Sequence, residues 1–192
     1  MNGNLAYKLE PQTEIIGGKV VMMATPTANH IRVSRNLSSI FDRYLKGRTC
    51  EYFPDRAGLY LEEGEEYQPD GMVVCDPEKV QPDGVHGAPD LVIEVLSPGT
   101  ARYDKRHKKE VYERSGVREY WIVDPANRTV EQYLLEEGRF VLREVYQQYP
   151  DFLLQHMSEA EQAALVTEFR CSLFADLLIR LEDVFDRVTP GV

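Results

Sequence analysis

The chain has few cysteines and no long apolar run, and these absences exclude several classes of protein. Its three cysteines, Cys50, Cys75 and Cys171, are widely separated and form no Cys-x-x-Cys pair. This spacing argues against a disulfide framework and a zinc site, and it is typical of a protein in a reducing cytoplasm. No segment approaches the roughly 20 apolar residues that span a membrane, and the first residues lack the layout of a signal peptide. We therefore expect a cytoplasmic protein with no membrane segment.

Basic charge is also scarce, because 22 Lys and Arg residues stand against 32 Asp and Glu residues, for a net charge of −10. Nucleic-acid binding draws much of its affinity from neutralised phosphates, so such a chain would need its cations concentrated locally. Segment 101–118 has seven basic residues against three acidic ones. A solvated helix face is the ordinary explanation of a charge run. If DNA is the partner, we expect Arg102, Lys105 and Arg106 to contact it.

The hydrophobic pattern predicts a single α/β domain over residues 1–192. One globular core is expected at this length, and 43% of the residues are apolar. Gly17-Gly18 predicts a hairpin, and Thr27 with the apolar stripe after it predicts a helix ending near Lys46. Further strands are predicted near 49–53, 58–61, 71–75, 91–96 and 119–123, a helix at 101–115, and a hairpin within 128–145.

Residues 158–188 are predicted to form a C-terminal helical extension. Ser158 and Glu161 make a capping-box pattern that opens a helix. An apolar stripe on a final helix would then contain Leu173, Phe174, Leu177, Leu178, Leu181, Phe185 and Val188. Such a stripe packs on its own domain or against a second copy of the chain, so a homodimer stays an open alternative.

Glu94 is the residue that most needs a partner. It is the single charge in the apolar run 91–96, and a buried carboxylate is costly unless it is paired or binds a metal. An outward-facing Glu94 paired with a basic residue is the alternative. Asp90 lies about 13 Å away along the strand, too far to share a metal, and we expect it to mark the strand entry. Asp70, in Pro69-Asp70 before another strand, could reach the same end of the sheet.

Lys108 is the candidate cation for Glu94. Strand 91–96 ends about 7 Å beyond Glu94, and a helix running back from there would carry Lys108 about 10 Å along itself, to the level of the carboxylate. Asp104, Lys108 and Tyr112 share one helix face by their i, i+4 spacing. Spacing alone favours an exposed Asp104–Lys108 pair. If Lys108 is instead catalytic, we expect Lys108→Ala to change stability little, because the loss of a positive charge from a carboxylate-lined cleft costs little once metal is bound.

Several blocks of the sequence resemble the Uma-type family of restriction endonucleases, a family of the PD-(D/E)XK nuclease superfamily. The most specific blocks are PDLVIEVLSP at 89–98 and GVREYWIVDP at 116–125, with Asp104, Lys108 and Tyr112 between them. The family's N-terminal signature and its PD motif are resembled by Glu14, Gly17-Gly18, Pro26 through His30, and Pro69-Asp70. The similarity covers about residues 13–145, and the tail is less diagnostic.

The resemblance implies a restriction-endonuclease-like αβββαβ core with a mixed central sheet flanked by helices and extra β-hairpins. It makes Asp70 the aspartate of the PD motif and Glu94 the acidic residue of (D/E)XK. Leu96 stands where the superfamily has lysine. A lysine on the following helix is thought to take over in this family, which here is Lys108, with Lys109 as the fallback.

The resulting hypothesis is a DNA endonuclease that depends on Mg²⁺ (or Mn²⁺). Asp70, Glu94 and the carbonyl of Val95 would hold the metal, while Lys108 would orient or help deprotonate the attacking water. Accessory roles are assigned to His30, Glu14, Asp90, Lys109 and Tyr112, although a capping or core histidine is an equally good interpretation of His30. The rival is a catalytically silent nuclease-fold module for binding or assembly, and the distance between the two carboxylates and the lysine discriminates between the two.

Overall fold

The computed structural model describes residues 12–62, 64–97, 99 and 101–189. The strands are β1 (Thr13–Ile16), β2 (Lys19–Met22), β3 (Glu51–Pro54), β4 (Leu59–Tyr60), β5 (Glu66–Tyr67), β6 (Gly71–Val74), β7 (Val80–Gln81), β8 (Gly84–His86), β9 (Leu91–Val95), β10 (Glu119–Asp124), β11 (Thr129–Glu136), β12 (Arg139–Gln147), β13 (Glu168–Arg170) and β14 (Leu178–Arg180). The helices are α1 (Ala28–Leu45), α2 (the consecutive segments Ala101–Tyr103, Asp104–Lys108 and Lys109–Ser115), α3 (Asp151–Leu154), α4 (Glu159–Ala163) and α5 (Leu181–Val184), with a 3₁₀ turn at Pro77–Lys79.

A mixed six-stranded sheet forms the centre of the fold, in the order β12-β11-β10-β9-β6-β3. Strands β9 and β10 are parallel, and α2 makes the crossover between them. The other neighbours in this sheet are antiparallel. Along the chain, α1, β3, β6, β9, α2 and β10 follow the predicted αβββαβ order. The expected restriction-endonuclease-like α/β core is therefore confirmed.

The two faces of the central sheet carry different layers. Helix α1 packs on one face, where Phe41 stacks on Tyr52 at 5.1 Å between ring centroids and contacts Trp121 at 5.8 Å. Helix α2 packs on the other face through Tyr112, whose ring meets Tyr120 at 5.2 Å. Because side chains alternate along a strand, the residues of β9 divide between these layers. Glu94 lies on the side of α2.

A second six-stranded sheet, in the order β2-β1-β5-β4-β8-β7, packs on the α2 side. Its β1–β2 hairpin turns at Gly17 and Gly18, which have φ angles of 57° and 72°. Such left-handed angles are easy for glycine alone, so the hairpin predicted at this pair is confirmed. The hairpin brings the N-terminal residues against α2.

The predicted helical extension at 158–188 is largely wrong. The capping box of Ser158 and Glu161 is present, but the helix that it opens ends at Ala163. Strands β13 and β14 then form an antiparallel pair, and only Leu181–Val184 is helical. Buried and exposed residues alternate from Leu177 to Leu181, which is the period of a strand. The apolar spacing that suggested one long helix therefore combines a strand with a short helix.

Much of the apolar stripe packs within the chain. Leu177, Leu181, Phe185 and Val188 are buried in the core that α1 shares with the central sheet. These side chains are therefore not available as a dimer surface, and homodimerisation stays a prediction. Within the described residues, no helix has the length and apolarity needed to cross a bilayer.

Two of the cysteines depart from expectation. Cys50 and Cys75 form a disulfide with their Cα atoms 3.9 Å apart. Cys50 directly precedes β3 and Cys75 directly follows β6. Because Glu51 lies opposite Val74 in the pairing of these strands, the two cysteines are the next residues to face each other. The expectation of no disulfide was wrong because strand pairing, and not sequence spacing, brings them together. Cys171 is free and buried. The cytoplasmic location, which relied partly on unpaired cysteines, stays a prediction.

Candidate functional site

Asp70 and Glu94 face each other at one end of two neighbouring strands. The antiparallel register of β6 and β9 pairs Gly71 with Ile93 and Met72 with Val92, so Asp70 is the next residue along and lies opposite Glu94. Both carboxylates line one cavity of about 40 Å³. A single water needs about 10–15 Å³ of such space, so this cavity is large enough for several water-sized groups.

Asp70 is held by groups from two elements. Its Oδ2 accepts a 2.6 Å hydrogen bond from the amide of Val95, and its Oδ1 lies 3.1 Å from Nε2 of His30. Thr27 caps α1 through the backbone of His30, which leaves the imidazole to reach the cavity. Burial lowers the pKa of His30, but the hydrogen bond and negative charge of Asp70 and the charge of Asp55 outweigh burial, so this pKa is raised. Of the two interpretations of His30, the structure supports the one that lines the cleft.

Glu94 is buried, with 3% of its surface exposed. Its Oε1 accepts hydrogen bonds from Lys108 Nζ at 3.1 Å and from the Tyr112 hydroxyl at 2.7 Å. Burial raises the pKa of Glu94 well above its ordinary value, the nearby carboxylates raise it further, and Lys108 opposes them. The alternative of an outward-facing Glu94 is therefore wrong. Because both donors use Oε1, neither engages Oε2.

Lys108 lies inside a cluster of acidic side chains. Its Nζ donates to Glu14 Oε1 at 2.9 Å and to Glu94 at 3.1 Å, and it lies 3.6 Å from Asp104 Oδ1. Only 1% of the residue is exposed. Burial lowers the pKa of Lys108, but the charges of Glu94, Glu14 and Asp104 outweigh burial and raise it well above its usual value. The alternative of an exposed pair of Asp104 and Lys108 is therefore wrong, and the small effect of Lys108→Ala on stability, expected once metal is bound, stays a prediction.

The middle segment of α2 explains how two of these residues share one face. Asp104–Lys108 is a π-helical turn between two α-helical segments, and Asp104 and Lys108 are its buried residues. Single π-helical turns are rare and often occur at functional sites. The next residue, Lys109, places its ammonium 4.3 Å from the ring centre of Tyr133. The structure therefore brings Lys108, and not Lys109, to Glu94.

The remaining predicted residues fall into separate places. Asp90 lies at the opposite end of β9, where it accepts hydrogen bonds from the Cys75 amide at 2.8 Å and from Arg118 at 3.2 Å. Lys105 pairs with Glu131 at 2.7 Å. Arg102 and Arg106 line another cavity, beside the β1–β2 hairpin.

Two acidic residues of the site received little weight from the sequence. Glu14 was assigned an accessory role through an N-terminal signature, without a partner. Its Oε1 accepts a hydrogen bond from the Gln68 backbone amide at 2.9 Å as well as from Lys108, and its Oε2 is buried without a hydrogen bond from the described residues. Asp55 lines the same cavity as Asp70. It follows β3 in a turn, and an exposed acidic turn residue has no sequence signal that separates it from others.

The donor set limits what the site could bind. Among the described residues, no three His, Cys, Asp or Glu side chains meet in an arrangement that would hold a metal by themselves. Asp70 and Glu94 offer oxygen ligands at one cavity, and Mg²⁺ commonly binds through one or two carboxylates while keeping several waters. Glu14, Glu94 and Asp104 surround a single ammonium, so their combined negative charge exceeds its positive charge. The site therefore fits a hard cation.

Comparisons with known proteins agree with this architecture. Residues 5–166 match the Uma2 family model, which carries the description "Putative restriction endonuclease". Two "uncharacterized" proteins of Synechocystis sp. (strain ATCC 27184 / PCC 6803 / Kazusa) are similar. The chain is 32% identical over 126 residues to sll1609, covering 64% of this chain and 71% of that protein. It is 30% identical over 122 residues to slr1290, covering 62% and 64% respectively, so it matches just under two thirds of the latter.

The fold also matches a solved structure. The crystal structure of "a putative nuclease belonging to DUF820" from Anabaena variabilis ATCC 29413 has a TM-score of 0.69 to this chain. The match covers 94% of this chain and 93% of the other, at 22% sequence identity. At that identity the comparison shows a shared fold.

Proposed function

The chain belongs to the Uma2 family, and from this membership and the geometry of the site we propose that it is a metal-dependent DNA endonuclease that hydrolyses phosphodiester bonds. The observation that carries the proposal is the meeting of Asp70, Glu94 and Lys108. The two carboxylates line one cavity, and Lys108 is hydrogen-bonded to Glu94. These side chains come from two strands and a helix, so their convergence is a property of the folded chain.

In this proposal, Asp70, Glu94 and the carbonyl of Val95 would hold Mg²⁺ or Mn²⁺. The fit is supported by the oxygen-only donors and by the surplus of buried carboxylates around Lys108. The backbone of Val95 lies at the same end of the site, because its amide donates to Asp70 Oδ2 at 2.6 Å. When bound, the ion would stabilise the negative charge that grows on the phosphate during hydrolysis.

The protein's own groups have distinct roles. Lys108 and Tyr112 fix Glu94 through Oε1, which leaves Oε2 for the cavity. Lys108 Nζ would also orient the attacking water, because an ammonium beside a carboxylate can hold a water oxygen while the carboxylate accepts its proton. His30 and the Val95 amide fix Asp70 through one oxygen each, Oδ1 and Oδ2. Both carboxylates are thereby held in place before substrate arrives, which lowers the cost of assembling the site.

The rival is a nuclease-fold module that binds or assembles without turnover. The net charge of −10 favours this alternative, because an acidic chain gains little nonspecific affinity for DNA. The geometry favours the enzyme, since a module without turnover has no need for a buried ammonium between carboxylates that face an open cavity. We therefore retain the endonuclease as the proposed function.

The test is a cleavage assay on plasmid, linear duplex and single-stranded DNA with Mg²⁺, Mn²⁺ or EDTA. We expect cleavage with either metal and none with EDTA. Asp70→Asn and Glu94→Gln should each reduce the rate at least about a hundredfold, a loss of about 2.7 kcal/mol of transition-state stabilisation. Asp90→Asn, on the same strand as Glu94 but at its other end, is the control and should cleave at a rate similar to the wild type. DNA binding without cleavage of any substrate would support the rival.

A further inference from the structure

A second cavity with a basic lining lies between the β1–β2 hairpin and the start of α2. Its volume is about 470 Å³. Four of the residues that line it are Lys19, Arg102, Arg106 and His107, together with the exposed ring of Tyr103, and the lining contains no acidic residue. In a chain of net charge −10, a concave surface with this composition is suited to an anion.

The cations of this cavity differ from most of the other basic residues of α2; among the described residues Lys109 also has no carboxylate partner, but its ammonium lies over the Tyr133 ring. Lys105, Lys108 and Arg114 each pair with a carboxylate. His107 also has an acidic partner, because its Nε2 lies 2.9 Å from Glu65 Oε1. Lys19, Arg102 and Arg106, by contrast, have no ion-pair partner within the described ranges, so their charges remain directed at the cavity and its solvent.

The basic cavity and the site of Asp70 and Glu94 have a common neighbour. A smaller cavity of about 100 Å³ shares Ile16, Val21 and Tyr103 with the basic cavity. It shares Met23 and Ala24 with the cavity of the two carboxylates, and Glu14 also lines it. The three cavities therefore lie in a row along the β1–β2 hairpin, between the carboxylates and the cations, and we call this row the groove.

The distance along α2 from the cations to the level of Lys108 can be compared with the spacing of nucleotides in a DNA strand. Arg102 precedes Lys108 by six residues, or roughly 9 Å along a helix. Successive nucleotides of one strand in duplex DNA are separated by ~3.4 Å along the axis. The cations therefore lie about two to three nucleotides from Lys108. Tyr103 lies between the two ends, and an exposed aromatic ring offers a stacking surface for any base.

We propose that this groove binds the DNA strand that is being cleaved, with its flanking phosphates on Lys19, Arg102 and Arg106. The inference rests on the proposed function and adds the path of the strand and its direction away from the carboxylates. Lys105 has no part in this path because its ammonium is paired with Glu131. The middle cavity, of about 100 Å³, has no room for a duplex, so the proposed path takes one strand of the DNA.

The test uses the double variant Arg102→Gln/Arg106→Gln. The control, Arg118→Gln/Arg139→Gln, removes the same two charges from exposed arginines that pair with Asp90 and Glu113 outside the groove. Binding of a fluorescent single-stranded oligonucleotide is measured against salt concentration with Ca²⁺ in place of Mg²⁺. Each lost phosphate contact on a single strand should reduce the slope of log K against log salt by about 0.7. We expect the groove variant to lose about 1.4 in slope and the control to keep the wild-type slope.

Cleavage kinetics separate this inference from the proposed function. The groove variant should raise KM for single-stranded DNA about tenfold and leave kcat within about twofold of the wild-type value, because the residues lie away from the carboxylates. An active enzyme whose salt slope and KM are the same in both double variants would overturn the groove and leave the endonuclease intact. A wild type that binds the oligonucleotide with the predicted slopes, yet cleaves nothing, would overturn the endonuclease and leave the groove. A wild type that binds no single-stranded oligonucleotide at low salt would overturn the groove, and it would overturn the endonuclease as well only if it cleaved none of the DNA substrates.

Discussion

At the scale of single residues, the electrostatics of the site depend on Lys108. Three carboxylates share its ammonium, and the residue is almost fully buried. Removing one partner of a buried ion pair is far more destabilising than the pair is stabilising, because it leaves an uncompensated charge. Lys108 therefore has a structural role that cannot be separated from its proposed chemical role by an alanine substitution alone.

We predict that Lys108→Met lowers the free energy of unfolding by about 3–5 kcal/mol in the absence of metal. The methionine side chain fills much of the space of the lysine stem, so the loss reports the missing charge rather than a cavity. Urea unfolding measures it. Lys109→Met is the control because Lys109 rests on Tyr133 outside the cluster, and its loss should stay below about 1 kcal/mol. Equal losses in the two variants would contradict the account of the cluster.

Residue identities in the site were partly accessible from the sequence. The approach of Lys108 to Glu94 followed from the length of a strand and of the helix returning along it. The roles of Glu14 and Asp104 did not, because Glu14 is 94 residues from Lys108 and depends on a hairpin packed against α2. The i, i+4 spacing placed Asp104 beside Lys108, but the burial of both residues occurs in a π-helical turn that has no signal in the sequence.

At the scale of elements, α2 and the short C-terminal strands are tied to the sheets by buried carboxylates. Glu119 on β10 is fully buried and accepts hydrogen bonds from Trp121 Nε1 and Gln132 Nε2, both at 2.6 Å. Its other oxygen accepts the Ser172 amide and hydroxyl. Since these donors satisfy the charge without a cation, Glu119 fastens the segment beside β13 to the central sheet.

Glu119→Gln should therefore destabilise the protein by about 3 kcal/mol. A glutamine amide supplies one acceptor oxygen in place of two, and its NH₂ group would face donors, which leaves buried polar groups unsatisfied. Trp121 is the only tryptophan of the chain, so its fluorescence follows thermal unfolding at this site. Glu168→Gln, a substitution at an exposed position of β13, is the comparison. A Glu119→Gln protein that melts with the wild type would contradict this role.

Glu65 links the second sheet to α2 through hydrogen bonds, and their contribution to the stability of the fold depends on pH. Burial raises the pKa of Glu65, but hydrogen bonds from the Tyr67 hydroxyl, the Gly17 amide and His107 outweigh burial, so the pKa lies below its ordinary value. A carboxyl with a depressed pKa in the folded state stabilises the fold above its unfolded pKa, and this contribution is lost as pH falls through the folded value.

We predict that Glu65→Gln makes the free energy of unfolding depend less steeply on pH in the acidic range, which is the acid limb of the stability curve. Wild-type stability should decline below about pH 4.5, near the ordinary carboxyl pKa, and the variant should be less stable at neutral pH but decline less steeply on acidification. Urea unfolding between pH 3 and 7 measures both slopes. Glu66→Gln, at the neighbouring exposed position, should retain the wild-type slope. An unchanged acid limb in Glu65→Gln would contradict the assignment.

The sequence predicted some helices and strands much better than others. Helix α1, the buried strand β9 and the hairpin of β11 and β12 are long or strongly patterned, so periodicity identified them. Strands β4, β5, β7 and β8 have two or three residues each, which is too short for a reliable period. The pairing of β1 with β5 and of β4 with β8 joins distant segments, so the second sheet could not be derived from local pattern.

At the scale of the whole molecule, an acidic chain carries one groove with basic residues at one end and carboxylates at the other. The net charge of −10 describes the average surface, while Lys19, Arg102 and Arg106, which have no ion-pair partner in the described part of the chain, line one end of the groove. The family match and the αβββαβ order explain why the carboxylates lie at a sheet end. In the proposed function, Asp70 and Glu94 share one divalent ion there.

Anomalous diffraction from crystals grown with Mn²⁺ would locate this ion independently of enzyme activity. We predict one strong peak within about 2.5 Å of a carboxylate oxygen of both Asp70 and Glu94, close to the metal–oxygen distances of hard cations. Crystals of Glu94→Gln should lack the peak at the same Mn²⁺ concentration. A peak elsewhere in the protein, or an empty site at a Mn²⁺ concentration that supports DNA cleavage, would contradict the account.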